Sequence, residues 1–169
     1  MNYNIHPIFV HFPIAMLVVY SIIKILPLQK WFPNVAWRDI ERALLLIGVL
    51  GAFAALATGD TAEHLTHPNR QLVNLHSTFA GISTGLYGAL LLGEIAAIAN
   101  ARYLRSSNML RSFSVQIERL LCHRVFSAVI AFVALLSITL TGLLGGAIVY
   151  KTTADPLAGI VLKMFGITL

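Results

Sequence analysis

Residues 125–150 read VFSAVIAFVALLSITLTGLLGGAIVY, an unbroken run without a single charged side chain. At about 1.5 Å of rise per helical residue, that segment exceeds the roughly 30 Å of a bilayer's hydrocarbon core. Three further runs, at about 7–26, 42–58 and 76–99, have the same apolar character. Together they predict an all-α chain: a polytopic membrane four-helix bundle forming a single transmembrane domain over residues 1–169, with a short C-terminal apolar tail. The tail, residues 156–169, is too short to cross and is expected to lie at the interface or re-enter. Composition points the same way. The chain has 57% hydrophobic and only 11% charged residues, with a mean hydropathy of +0.79, where a soluble domain carries about a quarter charged. Four spans in 169 residues leave no room for a separate soluble catalytic domain.

The net charge of +5 would raise nucleic acid as a partner in a soluble chain. Its distribution removes that reading. Lys24, Lys30, Arg38 and Arg42 fall in one connecting segment, and Arg102, Arg105, Arg111, Arg119 and Arg124 in another. Basic residues concentrate on the cytoplasmic side of inner-membrane proteins, so both segments are expected inside. The N-terminus, the 59–75 connection and the C-terminus then face outward, into the periplasm of a Gram-negative cell. No basic stretch precedes the first apolar run, which is therefore expected to remain as a membrane helix. The single cysteine, Cys122, has no internal disulfide partner.

Pro7 suits a first helical turn and Pro27 closes the first span, whereas Pro13 removes a backbone bond to the carbonyl of Phe9 and is expected to bend the helix. Gly48, Gly51, Gly81, Gly85, Gly88, Gly142, Gly145 and Gly146 lie in or near small-xxx-small spacings, which predicts close helix contacts or room for a flat cofactor. In an up-down bundle the first and third spans are diagonal neighbours.

The histidines are distributed unevenly. His6, His11, His64, His67 and His76 fall on the outer side and only His123 on the inner. Ligand-capable side chains are costly in a membrane and usually functional. Five residues apart, His6 and His11 point about 140° away from each other, so they have different roles. His11 and His76 are expected at similar depths on diagonal helices, the arrangement that holds one haem iron between two imidazoles. His6 is the competing ligand from the first helix. Arg70 or Lys151 would meet the propionates, and Phe9, Phe12 and Phe79 would supply an apolar pocket. Glu63, His64 and His67 offer a copper or zinc alternative. Glu94, about 27 Å deeper than His76 at 1.5 Å per residue, is expected to pair with Lys24 or Arg102. His123 reads as an interfacial hydrogen-bonding residue, so one haem is expected and not two.

His6-Pro7-Ile8-Phe9-Val10-His11-Phe12-Pro13-Ile14-Ala15 resembles the opening motif of the bacterial membrane family catalogued as domain of unknown function 2231. Thr58-Gly59-Asp60, the start of the third span at His76, and Thr141-Gly142 followed by Gly145-Gly146-Ala147-Ile148-Val149-Tyr150 fit the same pattern over nearly the whole chain. The departure is at the tail, where Lys151-Thr152-Thr153-Ala154-Asp155 replaces the family's His-Gly-Val-Gly-Val-like stretch. That family is similar to membrane cytochromes b, and the resemblance implies a haem-binding or redox role with His6, His11 and His76 at the matched positions. No Cys-x-x-Cys-His occurs, so a haem would be non-covalent, of the b type. The expected activity is electron transfer near the outer face, between a quinol or membrane enzyme and a periplasmic carrier. An accessory subunit of a larger membrane complex, or a homo-oligomer, packed through glycine-rich helix faces, is the alternative.

Overall fold

The computed structural model describes residues 6–66, 69–102, 108–150 and 156–167. Every element among them is helical: α1 (His6–Ile25), α2 (Leu28–Trp31), α3 (Trp37–Thr66), α4 (Arg70–Arg102), α5 (Asn108–Leu121), α6 (Arg124–Tyr150) and α7 (Pro156–Met164). Three stretches are long and apolar enough to cross a membrane: Trp37–Gly59, Arg70–Arg102 and Arg124–Tyr150. The apolar part of α1, Phe9–Ile25, has fewer residues than these and at 1.5 Å each extends about 25 Å, somewhat less than the hydrocarbon core.

The four long helices close a ring of two hairpins. α1 packs most extensively on α3 and α4 on α6, while α1–α6 and α3–α4 contacts complete the circuit, leaving α1 and α4 on a diagonal. Small residues make the first hairpin tight. A Cβ at Gly48 would come within 2.6 Å of Leu17, and one at Gly51 within 2.9 Å of the Pro13 ring. Pro13 therefore does not break α1, which continues through it; its buried ring fills the notch that Gly51 leaves. Across the diagonal, Tyr20 and Tyr87 meet edge to face with centroids 6.2 Å apart, and Ser21 Oγ lies 2.7 Å from Tyr87 Oη. Leu17, Leu45, Val49, Leu90, Ala131, Ala134 and Ile138 fill the rest of this core. Leu46, Leu50, Phe53, Val129, Phe132 and Leu136 are exposed, as lipid-facing side chains are in a protein whose solvent is hydrocarbon.

Several boundaries differ from expectation. α3 runs on to Thr66, past the expected end at 58, because the polar residues after Thr58 end the hydropathy signal without ending helix-forming ability. α4 starts at Arg70, where Asn69 Oδ1 accepts the backbone N–H of Gln71 at 2.9 Å and of Leu72 at 3.4 Å. His76 thus sits well inside the helix instead of opening it. α5, within what reads as a plain connection, packs on the C-terminal end of α4, where a Gly93 Cβ would lie 2.7 Å from Leu121. The tail folds back: Ala158, Leu162 and Ile167 pack with Leu72, Leu144 and Ala147. Gly166 ends α7 in the left-handed region at φ 69°, and Ile167 N–H reaches the Leu162 carbonyl at 2.9 Å, the Schellman closure.

The end of the bundle where α1 finishes and α3 begins carries the buried charges. Lys24 pairs with Glu41 at 2.8 Å. Glu94 takes Arg42 at 2.8 Å, with Arg38 at 3.9 Å, so its partners come from α3 and not from Lys24 or Arg102. Neither the hydropathy of the spans nor the position of Glu94 along α4 specifies which neighbouring helix presents the cation.

Candidate functional site

At the opposite end, two histidines each place Nδ1 against an oxygen of the neighbouring helix. His6, half-buried on the first turn of α1, has Nδ1 at 2.9 Å from Thr58 Oγ near the C-terminal end of the α3 apolar run. The Thr58 hydroxyl also lies 3.0 Å from the Ala55 carbonyl. His76 on α4 donates Nδ1–H to the Thr141 carbonyl of α6 at 3.0 Å; a carbonyl can only accept. Thr141 in turn donates its hydroxyl to the Ser137 carbonyl at 2.9 Å, and Ser137 donates to the Phe79 carbonyl at 2.9 Å, crossing back to α4. The carbonyl partner assigns the His76 ring proton to Nδ1, which places the lone pair of the neutral imidazole on Nε2.

Glycines give these rings their seats. A Cβ at Gly145 would stand 3.1 Å from His76 Cε1, closer than ordinary van der Waals contact, so glycine lets the ring lie against the α6 backbone. A Cβ at Gly59 would stand 3.8 Å from His6 Cε1, an ordinary van der Waals contact, so the His6 ring does not need a glycine there. The two imidazoles lie within electrostatic range of each other. Burial lowers the His6 pKa below the ordinary histidine value, with the Ala55 carbonyl acting the other way.

The remaining sequence-derived candidates are placed as follows. His11 is exposed on α1, on the side about 140° from His6 that the helical period dictates. Phe9 and Phe12 are also exposed, and Phe79 packs edge to face with Phe165 of the tail at 5.9 Å. Arg70 is exposed on the first turn of α4, at the same end of that helix as His76. His64 belongs to α3, but its side chain lies outside the described residues, as do His67 and Lys151 altogether. Among the described residues, no three His, Cys, Asp or Glu side chains gather to hold a metal ion. The structure thus brings together His6, Thr58 and Gly59 from one hairpin and His76, Thr141 and Gly145 from the other. Thr58 and Thr141 were not singled out as braces by sequence. The available signal was a Thr-Gly pair near the outer end of the second long helix in each hairpin, opposite the histidine of the first.

A family model described as a predicted membrane protein (DUF2231) matches residues 2–155. No curated protein matches, and no solved structure does.

Proposed function

The chain belongs to the DUF2231 family of predicted membrane proteins, and we propose that it is a four-helix membrane haem protein in which His6 and His76 would hold one b-type haem. The observation that carries this reading is the matched placing of two imidazoles: each Nδ1 lies within hydrogen-bond distance of an oxygen of the neighbouring helix, and in His76, whose partner is a carbonyl, the lone pair sits on Nε2. Metal-bound histidines are oriented in this way, since an acceptor on the far nitrogen sets the tautomer and raises ligand basicity. Two neutral imidazoles suit haem iron as donors, and His6 stands in the role for which His11 is the other candidate on the first helix.

A bound haem would supply reversible one-electron chemistry. The chain's own contribution is to hold the His76 ring against Gly145 and the His6 ring against Thr58, to exclude water with the packed helices, and to offer Arg70 as an exposed cation at the outer end. In this reading α1 is the fourth span, and the basic connections place the protein in the bacterial inner membrane with both termini in the periplasm. The electron partners are a quinol or membrane enzyme on one side and a periplasmic carrier on the other. Reduced-minus-oxidised spectra of the purified full-length protein test it. A low-spin bis-imidazole spectrum that disappears in His6→Ala and in His76→Ala, and persists in His11→Ala, is expected. No haem absorbance after expression with ample haem, or loss of haem only in His11→Ala, overturns the assignment.

One observation favours a second reading. A Cβ at Gly81, Gly85, Gly142 or Gly146 would meet nothing within 4 Å, so these small faces of α4 and α6 are open within one chain. Close-packing faces of this kind suit a cofactor-free subunit docked on another membrane protein or on a second copy. That role predicts co-purification with a larger partner and unchanged assembly in the His6→Ala/His76→Ala double variant.

A further inference from the structure

At the end remote from the histidine pair, α5 has three distinct faces. One is bound to α4: Ser114 donates to the Ala96 carbonyl, and Asn100 Nδ2 donates to Glu118 at 2.7 Å. A second carries Met109, Phe113 and Leu120, which fall within about 40° of one another around the axis and are 87%, 66% and 57% exposed. The third carries Arg111 and Arg119, both exposed. A helix of 14 residues reaches about 21 Å and does not span a bilayer. Apolar on one side, basic along the other and too short to cross, it has the form of a helix lying in the membrane interface.

Where α5 turns into α6 there is an open groove of about 510 Å³ lined by Gln116, Arg119, Leu120, His123 and Phe126. A second groove beside it shares Arg119 and His123 and adds Val115, Glu118 and Cys122; its one carboxylate, Glu118, is already engaged by Asn100. The membrane-crossing stretch of α6 begins at Arg124, so Arg119 and His123 stand at the depth of the lipid headgroups. We propose that this groove binds the headgroup of an anionic phospholipid of the bilayer, with Arg119 on the phosphate, His123 and Gln116 as hydrogen-bonding partners, and Leu120 and Phe126 against the first acyl carbons. The charge complementarity selects the occupant: a guanidinium grips a phosphate through two parallel bonds, and the apolar residues on the same groove suit the rest of a lipid and not a free ion. The proposal stands independently of haem binding.

Native mass spectrometry of the full-length protein in mixed micelles of phosphatidylglycerol and phosphatidylcholine tests it. Phosphatidylglycerol adducts are expected to dominate and to weaken about fivefold in Arg119→Gln, the effect of one basic residue at an anionic surface. The control Lys163→Gln, on α7, is expected to retain the preference, and Arg119→Lys, which keeps the charge without the paired donors, to fall between it and Arg119→Gln. Arg119 is exposed, so its replacement leaves the core alone, which circular dichroism verifies. Equal retention of the two lipids, or an unchanged preference in Arg119→Gln, refutes the site. Displacement of the lipid by millimolar inorganic phosphate refutes the lipid assignment in favour of a simple anion site.

Discussion

Replacing Gly145 by alanine tests the seat of His76 with little disturbance elsewhere. The new Cβ would lie 3.1 Å from His76 Cε1 and 3.5 Å from Nδ1, so the ring must retreat by a few tenths of an ångström to regain ordinary contact. Thr141 and Gly145 are one helical turn apart on the same face of α6, so backing away from one is backing away from the other. The Nδ1 to Thr141 carbonyl distance of 3.0 Å then passes the roughly 3.2 Å at which such bonds weaken. Losing that bond costs about 0.5–1.5 kcal/mol, while exchanging glycine for alanine inside a helix returns about 0.8–1 kcal/mol. The two effects nearly cancel, so the thermal midpoint should move by no more than about 4 °C. The imidazole should report a change that stability does not. The ¹⁵N signal of His76 Nδ1 in the haem-free protein should lose its hydrogen-bonded shift, and any haem spectrum should broaden or weaken. An unchanged His76 signal with an unchanged spectrum would show that Gly145 does not seat the ring.

Gly51→Ala and Gly81→Ala share the same gain in helix propensity but differ in surroundings, rigid Pro13 ring against open space; thermal unfolding should separate them by about 1–3 kcal/mol, with Gly51→Ala the less stable. Glu94→Gln removes the carboxylate charge from Arg42 and should cost about 1–3 kcal/mol, less than for a fully buried pair because Arg42 keeps some access to water; a double-mutant cycle with Arg42→Gln measures the coupling, and additive losses would show there is none. Burial and then the nearby Glu94 push the Cys122 thiol up to about 11. Its folded thiolate fraction is therefore small at neutral pH, rising only as the pH approaches that value. Maleimide labelling at pH 8 should run on the order of a hundredfold slower than for an ordinary thiol and accelerate in Glu94→Gln.

Long uncharged stretches made the membrane helices legible, because hydropathy over some twenty residues is dictated by the solvent and not by neighbours. The ends were less legible. Residues 59–66 are largely polar yet helical, and α4 starts at Arg70, six residues before the expected start at His76. α5 was hidden by its charge: Arg111, Glu118 and Arg119 lower its mean hydropathy, and the spacing of Met109, Phe113 and Leu120 was the available signal. Among the histidines, the helical period established that His6 and His11 point apart. That His6 is the one set against Thr58 depends on how far α3 extends and against which face of α1 it packs, which the sequence does not carry. The ion-pair partners of Glu94 depended on the same tertiary choice.

The two-hairpin arrangement also bears on how the molecule is made. His6 finds Thr58, and His76 finds Thr141, each within its own hairpin. Helical hairpins form from contacts between consecutive spans, and a chain leaving the ribosome completes the first before the second is synthesised. Both braces are thus local to a hairpin, whereas the Tyr20–Tyr87 contact joins the two. A defect in one brace would accordingly disturb its own hairpin first, and the contacts across the diagonal would not replace the missing bond.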